Sequence, residues 1–187
     1  MKKGTLFVIS SPSGGGKSTI ISRLLDNDKN LKYSVSATTR KPRKGEKNGV
    51  DYYFLTEDEF KEKIEKQKFL EWAEVHNNYY GTLRSQIENT LNKGHNVILD
   101  IDVQGGSSVK KIMPEAVLIF LMPPSIKELE KRLRNRGTDS EEDIKKRLEN
   151  ARHEIDQSSK YDFKVVNNEI SETVNMVEKI IKQFNEV

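Results

Sequence analysis

Two rhythms of apolar residues run through this chain. Short unbroken stretches, Thr5 to Ile9, Val97 to Leu99 and Ala116 to Met122, are separated by longer stretches whose apolar positions return every three or four residues. The short runs predict buried strands and the longer spacing predicts helices with one face inward. Thr5 to Ile9 runs through Ser10 into a Ser/Pro/Gly-rich turn, and the helical pattern Ser18 to Leu25 follows. Tyr33 to Ala37 alternates like a strand, and Thr38 to Asp51 reads as an exposed loop of Lys, Arg, Pro and Gly. Thr56 with Glu59 makes a capping box for a helix to about Gln67, and Phe69 to Val75 is the next strand.

Arg84 to Lys93 is a helix that Gly94 ends, and Val97 to Asp102 is a buried strand finishing in acid. A helix over Ser107 to Met113 and the strand Val117 to Met122 come next, closed by Pro123-Pro124. Ser125 and Glu128 cap a helix that stops near Gly137. In the helix Glu141 to Gln157 the stripe is Ile144, Leu148, Ala151 and Ile155, with Arg147 elsewhere on the surface. The strand Lys164 to Val166 and an amphipathic helix bearing Val174, Val177, Ile181 and Phe184 complete the pattern. Alternating strands and helices predict an α/β fold, a parallel sheet covered by helices on both faces.

A length of 187 residues fits one domain with insertions rather than two independent enzymes. With 32 Lys and Arg against 29 Asp and Glu, the net charge of +3 suits phosphorylated small molecules and is too mild to indicate nucleic acid. The absence of cysteine excludes disulfides, thiolate metal sites and a cysteine nucleophile. No apolar run approaches the twenty or so residues that span a bilayer, and the first apolar run is too short for an export signal. The expectation is a cytoplasmic protein, a monomer or small homo-oligomer.

The chemistry begins at Ser11-Pro-Ser-Gly-Gly-Gly-Lys-Ser-Thr19, which fits the phosphate-loop pattern G-x-x-x-x-G-K-[ST] except that Ser11 replaces the first Gly. Glycines let successive N–H groups converge on phosphate oxygens at the positive end of the next helix, with Lys17 on the terminal phosphates and Ser18 on Mg²⁺. The flanking strand and helix are the context this match requires. Serine at position 11 would cost about 1 kcal/mol or more if that site demanded a positive φ. Asp100 and Asp102, ending a strand beside this loop, are candidate partners for Mg²⁺ or its waters. Alternation puts them on one side of the strand. His76, His95 and His153 are too dispersed for a metal or acid-base set and read as surface residues.

These residues together resemble the guanylate kinase family over nearly the whole chain. The resemblance is carried by the phosphate loop, by Ser34 to Tyr52 with its interleaved Arg, Gly and Pro, by Phe69-Leu-Glu-Trp72 and by Asn78-Tyr-Tyr-Gly-Thr82. Ile98 to Gly105 and Arg132-Leu-Arg-Asn-Arg136-Gly-Thr complete it. It implies an ATP- and Mg²⁺-dependent transfer of phosphate to GMP, and also to dGMP. The domain map it implies is a core (1–35, 83–124 and 158–187), a GMP-binding insertion (36–82) and a helical lid (125–157).

By the same resemblance, Ser13, Gly14, Gly15, Gly16, Lys17, Ser18 and Thr19 bind ATP, and Asn167 contacts adenine. Arg40, Arg43, Tyr52 and Tyr80 grip the GMP phosphate, a task that planar guanidinium forks and neutral hydroxyl donors suit. Ser36, Glu71, Thr82 and Asp100 read guanine. Its N1–H and 2-amino group are donors that carboxylates accept, whereas adenine would leave those carboxylates unpaired. Arg132, Arg136 and Arg147 neutralise the phosphoryl group in transit, with Lys17 and Arg40. Two other readings stay open here: a non-catalytic interaction module of the same fold, and a nucleotide kinase with another acceptor.

Overall fold

The computed structural model describes residues 2–75, 77–135, 137 and 139–185. Along the chain lie β1 (Leu6–Ser10), α1 (Lys17–Asn27), β2 (Leu31–Tyr33), β3 (Ala37–Thr38), β4 (Tyr53–Phe54), α2 (Glu57–Glu65), β5 (Phe69–Val75) and β6 (Asn78–Leu83). Then come α3 (Arg84–Asn92), β7 (Asn96–Asp100), α4 (Val103–Ile112), β8 (Val117–Met122), α5 (Ile126–Asn135), α6 (Glu141–Gln157), β9 (Phe163–Val166) and α7 (Ile170–Asn185).

β1 is buried at every position, and its side chains part in strict alternation. Phe7 and Ile9 join Ile20, Leu24 and the α7 residues Val174 and Val177 on one face. Leu6 and Val8 join Ile87 and Leu91 of α3 and Val109 of α4 on the other. A strand apolar at both parities is what a sheet covered on both faces requires. That sheet is parallel throughout, in the order β2-β7-β1-β8-β9. Ile9 pairs with Asp100 and Ser10 with Phe120, so the carboxyl ends of β1 and β7 finish side by side. Ligands in such sheets bind beyond those ends.

The second sheet, β4-β3-β6-β5, is small and mixed: β3 runs parallel to β4 and antiparallel to β6, which is antiparallel to β5. Its core is Ala37, Phe60 and Phe69 with partly buried neighbours. Phe60 of α2 stacks on Phe69 at 4.3 Å and on Tyr79 at 5.4 Å between centroids. The Thr56 capping box fixes the start of α2 as the sequence predicts.

Three expectations are corrected, and one strand was not expected. The strand read over Tyr33 to Ala37 is two strands in different sheets: β2 ends at Tyr33 and β3 begins at Ala37. Asn78–Leu83, read only as a motif, is a strand, with Gly81 in its middle because a Cβ there would lie 2.9 Å from the Glu71 carbonyl oxygen. β7 stops at Asp100, and Asp102 is the N-cap of α4, its Oδ1 accepting from the N–H groups of Gln104 and Gly105. α4 therefore starts at Val103 rather than Ser107. Gly105 and Gly106 hide that start, and Gly106 is required because a Cβ there would sit 2.6 Å from the Tyr161 hydroxyl.

Candidate active site

Between β1 and α1 the chain folds into the phosphate loop. Gly14 and Gly16 hold φ of 86° and 83°, in the left-handed region where a side chain is strained. Space forbids a side chain as well, since a Cβ at 14 would lie 2.9 Å from Leu133 and one at 16 would lie 2.6 Å from the Asn167 amide. Ser11 escapes this demand: it is buried, and among described non-glycine residues only Gln67 and Asn77 have positive φ. Its place in the pattern carries no backbone strain.

α1 has no side-chain cap and no acidic residue in its first turn. Its leading N–H groups and positive dipole end are left for an anion. Ser18 and Thr19 lie exposed there. Lys17 reaches across to β7, with Nζ 2.6 Å from Asp100 Oδ1 and 3.3 Å from the Ile101 carbonyl. Asn167 is buried beneath the loop, its amide donating to the Gly15 carbonyl at 2.7 Å and its oxygen accepting from Thr173. The adenine contact expected of Asn167 is thus set against a side chain spent on bracing the loop.

Past Asp100 opens a cavity of about 330 Å³, lined by Ser36, Tyr52, Glu71, Tyr80, Asp100 and Asp102 among others. It brings together residues from both sheets. Thr82 is not on its surface; it is fully buried and donates to Glu71 Oε1 at 2.6 Å, fixing that carboxylate from behind. Burial pushes the Glu71 carboxyl above the ordinary value, with Asp102 adding to it and Thr82 opposing.

At the cavity's Tyr52 end, the Arg40 guanidinium lies 5.4 Å from the Tyr52 ring centroid and 6.0 Å from that of Phe54. Glu46 binds it at 2.8 Å and accepts the Arg43 backbone N–H at 2.7 Å through its other oxygen. That pair, helped by Tyr80, raises the Arg40 pKa, so its charge is permanent. The Arg43 side chain is exposed and does not line the cavity.

The helices after β8 close on the loop from the opposite direction. Arg132 donates to Glu128 at 3.3 Å and to the Asn167 carbonyl at 3.1 Å. Arg147, read from the sequence as lying elsewhere on the surface, is half-buried against the loop, donating to Ser13 Oγ at 3.1 Å and pairing with Asp139 at 3.3 Å. Arg136 lies outside the described residues, as does His76. His95 is half-buried and bonded to Asn30, and His153 is exposed.

A family model described as guanylate kinase matches residues 3–184. The chain belongs to the guanylate kinase family. It is 52% identical to the guanylate kinase of Fusobacterium nucleatum over 182 residues, 97% of this chain and 98% of that one. It is 50% identical to that of Prochlorococcus marinus over 177 residues, 95% and 96% of the two chains. The crystal structure of guanylate kinase from Anaplasma phagocytophilum matches with a TM-score of 0.74 at 38% identity, covering 97% of this chain and 86% of that one.

For Mg²⁺, this member of the guanylate kinase family offers the Ser18 hydroxyl and carboxylates at Asp100 and Asp102. Each carboxylate already has one oxygen engaged, on Lys17 and on the α4 amides. Among the described residues no group of three or more His, Cys, Asp or Glu forms a cage. Such oxygens fit a hard cation held mainly by phosphates and water. Sequence reading missed Glu46, which organises both arginines, although a carboxylate three and six residues after two arginines in one loop was a usable signal. It also missed the buried bond from the Tyr161 hydroxyl to Ser10 Oγ at 2.7 Å, for which no local pattern exists.

Proposed function

We propose that this chain transfers the γ-phosphoryl group of ATP to GMP, giving ADP and GDP. The observation that carries the reading is one continuous path. Lys17 touches Asp100, Asp100 lines the cavity with Glu71 and Ser36, and the same cavity ends at Tyr52 and Tyr80 beside Arg40. A donor phosphate and an acceptor nucleotide placed at its two ends meet at the carboxyl edge of the main sheet.

Glu71 and Asp100 accept from guanine N1–H and the 2-amino group, with Ser36 beside them. Tyr52, Tyr80, Arg40 and Arg43 take the acceptor phosphate. Lys17 and the loop N–H groups hold the ATP phosphates, and Arg132, Arg136 and Arg147 offset charge on the moving group. An oxygen of the GMP phosphate attacks the γ-phosphorus while the bond to the bridging oxygen breaks and ADP leaves with that charge. The attacking phosphate is largely ionised at neutral pH, its second pKa being about 6, so no general base is needed. Mg²⁺, when bound, spreads the negative charge of the phosphates.

Residues 36–82 and 125–157 are the two bodies that close over a core of 1–35, 83–124 and 158–187, excluding water from the transfer. No helix of the described residues is long and apolar enough to cross a membrane, and the small-molecule chemistry fits a cytoplasmic enzyme. The test is coupled ADP release with GMP, dGMP, AMP, UMP and CMP. GMP and dGMP should outrun AMP by at least about a hundredfold, since AMP turns an N1 lone pair and no 2-amino group toward the Glu71 and Asp100 carboxylates. Equal rates with AMP, or no ADP release with any acceptor, would overturn the assignment.

A further inference from the structure

α6 turns one face to the phosphate loop. Ala151 on that face is buried with Leu129 and Leu133 of α5, the side chains packed beside Gly14. One turn before Ala151, Arg147 divides its guanidinium between two partners. Nη1 donates to Ser13 Oγ at 3.1 Å, and Nη2 lies 3.3 Å from Asp139 Oδ1. Asp139 stands outside the helix, just before Ser140, the N-cap of α6. Its side chain is only 11% exposed, against 38% for Arg147. Among the described residues, Asp139 Oδ2 is buried without a hydrogen-bond partner. Neither the motifs nor the resemblance gives Asp139 a role.

Helix capping does not explain this carboxylate. α6 is capped by the Ser140–Asp143 box, and Glu141, Glu142 and Asp143 already place acid in its first turn. What Asp139 does hold is one edge of a planar cation. In a guanidinium, Nε–H and one Nη2 hydrogen point the same way and fit the two oxygens of one carboxylate, while Nη1 faces elsewhere. A small turn of Arg147 pairs Nε with the orphan Oδ2 and keeps Nη1 on the loop. Because a buried unpaired oxygen opposes folding, the site favours that fork. We infer that Asp139 is a positioning residue for phosphoryl transfer. It grips the Nη2 edge of Arg147 so that Nη1 points at the phosphate loop, where an oxygen of the moving phosphoryl group replaces Ser13 Oγ. The inference rests on the proposed transfer from ATP to GMP and on the part given there to Arg147. With the carboxylate in place the arginine meets the loop already aimed; without it, a long side chain must be ordered during the reaction itself.

The experiment measures kcat and the KM for GMP, by coupled ADP release, for the full chain, Asp139→Asn, Arg147→Ala and the double variant. Asp139→Asn should lower kcat about tenfold while the KM for GMP stays within about twofold, and Arg147→Ala should lower kcat about a hundredfold. Adding Asp139→Asn to Arg147→Ala should then change kcat by less than about twofold, since the carboxylate has nothing left to aim. Asp139→Ala, which removes the buried oxygen altogether, is measured alongside, so a failure of the Asn variant to fold still leaves a readout. Losses that multiply in the double variant, as a merely structural role in the lid would give, overturn the inference. So does an unchanged or higher kcat in the Asp139 variants, an unchanged kcat in Arg147→Ala, or a rise in the KM for GMP as large as the fall in kcat. No ADP release by the unmodified chain with any acceptor would instead sink the kinase reading beneath it.

Discussion

The two ends of the proposed reaction path are built from different materials. The donor end is backbone: a glycine loop that follows β1, whose two faces lie in the two large core clusters, braced from below by buried Asn167. The acceptor end is side chains, Glu71, Tyr52, Tyr80 and Arg40, on and beside a four-stranded sheet whose own core contains three buried residues. The difference follows the tasks. Phosphates present the same oxygens in every nucleotide, so a rigid cradle of amides serves. A base must be told from its relatives and released afterwards, which needs replaceable side chains on the body that closure is proposed to move.

The sharpest way to break this contrast is at Lys17, the cation that the donor loop itself carries. Lys17→Met should lower turnover by about 10³-fold or more with the thermal transition retained, since the charge acts mainly on the phosphoryl group in transit. Loss of activity matched by loss of folding would mean that the Lys17–Asp100 pair serves the fold instead. The next test separates the two bodies. Phe60→Ala removes a fully buried ring from the small core and should cost about 3 to 5 kcal/mol locally. GMP binding should weaken greatly while ATP binding and most of the main sheet's hydrogen-exchange protection persist. Phe120→Ala, in the main core, should weaken both nucleotides together. Equal damage from both would show that the sheets fold as one cooperative unit.

At Glu71 the effect is smaller and chemically specific. Glu71→Gln should raise the KM for GMP by about ten- to a hundredfold, because an amide brings donors toward the donors of guanine. The pH dependence has a definite sign. Burial raises the Glu71 pKa above 4.5, so as pH falls the carboxylate is neutralised earlier than an ordinary glutamate and GMP affinity drops in that window. In the folded protein without nucleotide the same raised pKa means that ionised Glu71 costs stability above it, a cost relieved on acidification. Comparing GMP with IMP, which shares the phosphate but lacks the 2-amino group, isolates this carboxylate from the titration of the phosphate. A GMP-to-IMP ratio that stays flat with pH would remove Glu71 from recognition of the 2-amino group.

The same contrast explains what the sequence made legible. Elements whose geometry depends on near neighbours were readable: β1, the glycine loop, the Thr56 capping box, Gly94 ending α3. Features that need a distant partner were not. The alternation over Tyr33 to Ala37 looks identical whether a strand continues or passes from one sheet to the other. Asp102 follows Asp100 by two residues, and only the start of α4 shows that it caps a helix instead of extending a strand. Gly106 weakens the helix pattern locally and is explained only by Tyr161, which lies 55 residues on in the sequence. Arg147 reaches the phosphate loop solely because α6 packs there.

The smallest predicted effect probes the donor end through one of these distant partners. The Tyr161 hydroxyl donates to Ser10 Oγ at 2.7 Å, and Ser10 Oγ donates to the Ile101 carbonyl at 2.7 Å, the carbonyl that Lys17 also approaches. Burial lifts the Tyr161 pKa to about 12, so the hydroxyl keeps its proton and remains a donor at any working pH. Tyr161→Phe preserves the ring, which packs edge-on against Phe120 at 5.2 Å, and removes only the bond. It should cost about 1 kcal/mol, a fall in Tm of about 3 °C for a chain of this size. If the relay also holds Ile101 in register with the loop, turnover falls a few-fold with the KM for GMP unchanged, since none of the acceptor side chains is touched. A change in the GMP KM instead would show that the two ends are coupled through the β7–α4 connection, and that the rigid donor cradle and the movable acceptor sheet are less independent than their construction implies.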